Sequence, residues 1–174
     1  MPLDLSRPDL TIGIVGTGIM GRGIAQIAAQ AGVRVLLYDT RADAAPAARE
    51  YIASTLAKLV EKGKLGADAA QRAVAKTEVA QVLPALSACH LVIEAIVEDL
   101  KAKRDLFAHL EAIVSDDCIL ATNTSSLQVT SVAAGAIHHE RVAGYHFFNP
   151  VPLMKVVEVI DGVMTAPWVG NALG

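Results

Sequence analysis

The feature that most narrows what this chain can become is Gly16-Thr17-Gly18-Ile19-Met20-Gly21. It sits directly between a β-branched run, Thr11–Val15, and an Ala-rich amphipathic stretch that continues to Ala31. A glycine string of this spacing says little alone, but between a strand and a helix it is the turn of a dinucleotide-binding βαβ unit. Gly16 allows the tight turn, Gly18 lets a pyrophosphate approach the backbone, and Gly21 lets the helix pack closely on the strand. Ile19 and Met20 fall at the start of the helix, where free N–H groups and the helix dipole favour phosphate. Residues 33–39 form a second expected strand, and Asp39 at its end is placed to accept both hydroxyls of an adenosine ribose. Its charge opposes a 2′-phosphate, so NAD is expected over NADP, with Arg41 as the nearby opposing influence. The alternative is a structural glycine turn beside a solvated aspartate.

The rest of the chain repeats the alternation. Further strands are expected at residues 77–79, 91–95, 119–122, 141–145 and 156–160, separated by helical segments such as 101–113. The pattern predicts an α/β fold of Rossmann type, with a doubly wound, mostly parallel sheet. Residues 43–75 are too long for one crossover helix and are interrupted at Gly63 and Gly66, which predicts a projecting helical hairpin. Residues 164–174 show little pattern.

Composition removes several function classes. The chain of 174 residues suits one domain spanning 1–174, with a hydrophobic core that needs no disulfide or metal. Although 53% of the residues are hydrophobic, Gly, Gln, Arg or Asp break every apolar stretch before it reaches bilayer-spanning length, so no membrane partner is expected. Residues 1–10 carry Asp4, Arg7 and Asp9 and lack the pattern of a signal peptide, which predicts a cytoplasmic protein. Cys89 and Cys118 have no CxxC or metal-ligand spacing and are expected as buried reduced thiols. The net charge of −3, without a long basic run, argues against nucleic acid and for a small-molecule partner.

His146 follows the expected strand 141–145, where doubly wound proteins place functional groups, and Glu158 lies in the apolar run 156–160. An imidazole beside a carboxylate supplies a general base of fixed tautomer, suited to removing a proton from an alcohol. From spacing alone, a strand-end histidine and an exposed strand glutamate are an equal alternative. Ser125 alone fits a helix N-cap before Leu127, a role that suits Ser126 better. His90, His109, His138 and His139 are expected as ordinary surface or strand-end residues. Lys58, Lys62 and Lys64 cluster on the hairpin, as phosphate ligands or as a solvated helix face.

Four blocks, GTGIMGRGIA at 16–25, EAIVE at 94–98, NTSSL at 123–127 and HFFNPVPLMKVVEV at 146–159, occur in this order, and together the chain resembles the 3-hydroxyacyl-CoA dehydrogenase family from about residue 11 to 161. The resemblance implies reversible, NAD-dependent oxidation of an L-3-hydroxyacyl-CoA to the 3-oxoacyl-CoA. It implies His146 as general base, Glu158 as its orienting partner and Ser125 as a hydrogen-bond partner of the reacting oxygen. Asn123, Ser125 and Asn149 would line the nicotinamide pocket, while Glu98 and Lys103 would hold the ribose beside it. Lys62, and Thr55 more weakly, would contact coenzyme A. The family continues into a helical second domain that forms a homodimer and that this chain does not contain. A related dehydrogenase acting on a free 3-hydroxy acid, or a crystallin-like NAD-binding module without turnover, are the competing expectations.

Overall fold

A computed structural model describes residues 3, 4 and 6–174 of the chain. Seven strands form one sheet in the order β3-β2-β1-β4-β5-β6-β7. They are β1 (Thr11–Val15), β2 (Arg34–Tyr38), β3 (Thr77–Val79), β4 (Leu91–Glu94), β5 (Ile119–Thr122), β6 (Val142–Phe147) and β7 (Val157–Asp161). All neighbours are parallel except β6 and β7. The helices are α1 (Ile19–Gln30), α2 (Ala44–Glu61), α3 (Ala67–Ala75), α4 (Leu100–Glu111), α5 (Val129–Ala133) and α6 (Pro167–Leu173).

The central strands read as continuous apolar runs because both sheet faces are covered. Side chains alternate between two cores: Ile12, Ile14, Val35, Leu37, Leu91, Ile93 and Ile119 pack in the core under α1, α2 and α6, whereas Val15, Leu36, Val92 and Leu120 pack in the other, with Phe107 and Leu110 of α4. One line of register crosses the sheet through Tyr38, Val15, Glu94, Thr122 and Gly144. Strands β1, β2, β4 and β5 end on this line and present their following residues, Gly16, Asp39, Ala95 and Asn123, along a single edge, while β6 continues to Phe147. The order reverses between β1 and β4, so the connections leave on opposite faces and open a crevice above those two strands.

The α1 helix starts at this crevice and packs unusually close. A Cβ built on Gly21 would stand 1.8 Å from the Gly16 carbonyl oxygen, so no side chain larger than hydrogen fits. Gly16 itself has φ +90°. The expected hairpin is present as α2 and α3, packed on each other and on α1, with its exposed tip at residues 61–64. Gly63 ends α2 at φ +66°, where the Gly63 and Lys64 amides return to the Val60 and Leu59 carbonyls at 2.9 Å each. This pairing of the last carbonyls favours glycine at that position.

Three features depart from expectation. Residues 167–173 form α6, with Pro167 at its first turn and Val169 and Leu173 buried, a start signal that the mixed composition around it obscured. Strand β6 extends past residue 145, so His146 lies within a strand and not beyond one. Strand β7 is an exposed antiparallel edge: Val157, Glu158, Ile160 and Asp161 face solvent, and the exposed apolar residues Val156, Val163 and Met164 continue the patch. Among the described residues no helix is long and apolar enough to cross a membrane.

The Gly21 contact yields a stability test. Alanine gains about 1 kcal/mol of helix propensity over glycine, but a 1.8 Å approach to a backbone oxygen forces α1 away from β1, a distortion of the kind that costs about 1–3 kcal/mol or more. Gly21→Ala is therefore expected to lower the urea unfolding midpoint. A raised midpoint would show that the close approach is dispensable.

Candidate active site

Two clefts open above the sheet edge and share Ala95 and Ile96 as a common wall. The first, about 310 Å³, is lined by Gly16, Thr17, Gly18, Asp39 and Arg41. The second, about 340 Å³, is lined by Met20, Glu98, Lys103, Asn123, Ser125, His146, Phe148 and Asn149.

In the first cleft Asp39 is already oriented. Its Oδ2 accepts hydrogen bonds from the Thr17 amide at 2.9 Å and the Thr17 hydroxyl at 3.0 Å, and its Oδ1 accepts from the Arg41 amide at 3.1 Å. Partial burial pushes the carboxyl up, but these hydrogen bonds outweigh it and hold the group below the ordinary aspartate value. The Arg41 backbone thus supports the carboxylate. Thr17, which no sequence argument singled out, ties the glycine turn to the end of β2. A Cβ on Gly18 would meet nothing within 4 Å, so the space beside it is open to a ligand.

The second cleft rests on a buried polar network at the ends of β4 and β5. Glu94, fully buried, accepts from the Lys103 ammonium at 2.5 Å, the Ile96 amide at 2.7 Å and the Thr122 hydroxyl at 2.7 Å. Lys103, also buried, stands 3.3 Å from Glu98. Glu98 accepts from the Thr124 hydroxyl and, at 2.9 Å, from the Ser126 hydroxyl. Burial raises the Glu98 carboxyl, but those hydroxyls and the Lys103 charge prevail and bring it down to about 2. Glu94, Thr122 and Thr124 were absent from the sequence-derived set. The signal was a glutamate ending an otherwise apolar strand, LVIE, with a lysine in the first turn of the following helix.

The adjacent serines have different surroundings. Ser126 is not the expected helix cap: its hydroxyl donates to Glu98, and the Leu127 amide is accepted by Thr124 at 3.0 Å. The exposed Ser125 lines the cleft, and its hydroxyl has no hydrogen bond among the described residues. Asn123 Oδ1 accepts the Phe147 amide at 2.8 Å and so joins the β5 loop to the end of β6.

His146 and Glu158 are direct cross-strand neighbours in the antiparallel β6–β7 pair. That register brings His146 Nδ1 to 2.9 Å from Glu158 Oε2, while Nε2 has no hydrogen bond among the described residues. The histidine is mostly buried and the glutamate is half exposed, so the carboxylate avoids the burial penalty its apolar run suggested. The Phe148 ring lies 4.7 Å from the imidazole.

A third groove of about 400 Å³ contains Ile19, Arg22, Tyr51 and Thr55 and meets the second cleft at Asn149. The Arg22 guanidinium stands 3.6 Å over the Tyr51 ring, a cation that sequence reasoning passed over. Ile19 faces this groove, Gly21 is buried beneath the glycine turn, and Lys62 is exposed on the hairpin tip outside all three spaces. Among the other histidines, His90 accepts the Thr11 amide and His138 pairs with Glu140, both outside the clefts.

The profile of the 3-hydroxyacyl-CoA dehydrogenase NAD-binding domain matches residues 11–173. The chain is 45% identical over 156 residues to a 3-hydroxyadipyl-CoA dehydrogenase of Escherichia coli K12, covering 90% of this chain and 33% of that protein. It is 43% identical to a probable 3-hydroxybutyryl-CoA dehydrogenase of Bacillus subtilis, covering 88% of this chain and 53% of that one. A crystal structure of 3-hydroxybutyryl-CoA dehydrogenase from E. coli K12 superposes with a TM-score of 0.92 at 44% identity, over 94% of this chain and 35% of the other. The corresponding (S)-3-hydroxybutyryl-CoA dehydrogenase of Ralstonia eutropha gives 0.90 at 37% identity, over 94% and 58%. The chain therefore spans from about a third to somewhat over half the length of these relatives.

The depressed Glu98 carboxyl has a consequence for acid stability. Its unfolded value is near 4.5 and its folded value about 2, so its contribution is complete above about 4.5 and is lost as pH falls toward 2. In urea unfolding, the stability gap between the parent chain and Glu98→Gln is expected to be widest above pH 4.5 and to shrink toward pH 2. A gap independent of pH would mean that Glu98 is not held as an anion.

Proposed function

The chain belongs to the 3-hydroxyacyl-CoA dehydrogenase family as its NAD-binding domain, and from that premise we propose that it serves the reversible, NAD-dependent oxidation of an L-3-hydroxyacyl-CoA to the 3-oxoacyl-CoA. The observation that carries this reading is the His146–Glu158 pair at 2.9 Å, whose histidine lines a cleft that shares its wall with the glycine-turn cleft.

The residues present fit the cofactor. The open space at Gly18 admits a pyrophosphate, the start of α1 supplies free amides, and Asp39 keeps lone pairs for the adenosine ribose hydroxyls. Glu98 and Lys103 hold the second ribose, and Met20, Asn123 and Asn149 bound the space for the nicotinamide. NAD, when bound there, would supply the acceptor for the hydride from the substrate carbon.

His146 does the acid–base work. Nδ1–H donates to Glu158, which leaves Nε2 as the acceptor of the alcohol proton, and the Glu158 charge stabilises the imidazolium that forms. The exposed Ser125 hydroxyl donates to the reacting oxygen and aligns it. The third groove, joined to this cleft at Asn149, is the path for coenzyme A past Thr55, with Lys62 meeting its phosphates from the hairpin tip. The proposal includes a cytoplasmic location, where the buried thiols Cys89 and Cys118, each pushed up to about 12 chiefly by burial, stay reduced.

Two measurements test the reading. In fluorescence titration NADH is expected to bind at least about tenfold more tightly than NADPH, or about 1.4 kcal/mol, because Asp39 opposes a 2′-phosphate; equal affinities would remove that role for Asp39. In any form of the protein that turns over 3-hydroxybutyryl-CoA, His146→Gln is expected to lower kcat roughly a hundredfold or more with NADH affinity retained. Near-parental turnover would exclude His146 as the base, and faster oxidation of the free acid than of its CoA thioester would redirect the substrate assignment.

A further inference from the structure

Glu94 is the one fully buried carboxylate among the described residues, and nothing in the proposed reaction uses it. With 0% of its side chain exposed it cannot touch a ligand. All its hydrogen bonds are internal, to Lys103, Ile96 and Thr122. Lys103 keeps 1% of its side chain exposed and, unlike Glu94, lines the second cleft. An ammonium has three donors. One points to Glu94 at 2.5 Å and one lies toward Glu98 at 3.3 Å; the third has no acceptor among the described residues. The direction of that third donor is set by the closer of the two anions.

We propose that Glu94 is a positioning residue: acting through Lys103, its buried carboxylate aims a free ammonium donor into the cofactor cleft and keeps the lysine from collapsing onto Glu98. The inference rests on the reading of that cleft as the cofactor site. Its physical basis is the pairing rule for buried charge. An ammonium without solvent moves to whatever anion it can reach. If Glu94 is made neutral, the remaining anion is Glu98, which is already held by Thr124 and Ser126. Lys103 then shifts toward Glu98, and the donor that faced the cleft is spent on the carboxylate. The same Glu94 oxygen accepts the Ile96 amide, so the wall common to both clefts is built on this group as well.

A double-mutant cycle on NADH affinity separates this role from a merely structural one. The 174-residue chain is compared as parent, Glu94→Gln, Lys103→Met and the double variant, with NADH titrated by fluorescence and folding checked by urea unfolding. Glu94→Gln is expected to weaken NADH about tenfold in the parent background and to change affinity by less than about twofold when Lys103 is already Met. The same loss in both backgrounds, or no loss in either, overturns the proposal. If Glu94→Gln does not fold, Glu94→Asp replaces it in the cycle, since it keeps the charge and withdraws the carboxylate by one methylene. A parent chain that fails to bind NADH overturns the cofactor reading and this inference together. A parent that binds with a flat cycle overturns this inference alone.

Discussion

Between the Gly16 carbonyl and the Gly21 backbone there is no room for a methyl group, and most of the site follows from that contact. It draws α1 down onto β1 until the first turn of the helix lies over the crevice where the strand order reverses. A helix held further away would point its free amides past the crevice. Thr17 and Asp39 then fasten the glycine turn to the end of β2, so that the turn and the Asp39 carboxylate move as one unit.

The level ending of the strands makes a site of that crevice. Because Tyr38, Val15, Glu94 and Thr122 share one register line and end their strands there, the loops that follow them emerge side by side. Burying Glu94 and Lys103 at this level is an unusual way to finish two parallel strands, since an apolar pair of similar volume would often be as stable or more so. The pair lies at the floor of the cleft, which Lys103 and Glu98 both line.

Strand β7 gives the molecule a second kind of geometry. Parallel strands align loops, but an antiparallel pair sets side chains directly opposite each other on one face. His146 and Glu158 meet in this way, on a strand pair at the sheet edge where the carboxylate stays half exposed while the imidazole lines the cleft. An edge position therefore suits this pair better than the buried interior would.

The alternation of strands and helices, the glycine turn, Asp39 and the Gly63 helix stop were legible in the sequence because each is a local signal: a period, a turn residue or a cap acts within a few positions. Met20, Asn123, Ser125, His146 and Asn149 could be named from their motifs. Beyond the pairing of His146 with Glu158, the sequence could not tell which side chains meet. Nothing local reveals that Ser126 turns to Glu98, that Thr17 holds Asp39, that Thr124 caps the Leu127 amide, or that Glu94 is paired with Lys103. The extension of β6 through His146 depends on a partner strand that returns antiparallel, and residues 167–173 become a helix with an apolar side buried on the sheet. Local propensity and hydrophobic period thus determined the elements and their order. Register, burial of charge and the joining of the clefts were decided only when distant segments packed, because hydrogen bonds and ion pairs between elements depend on distances that no single stretch of chain contains.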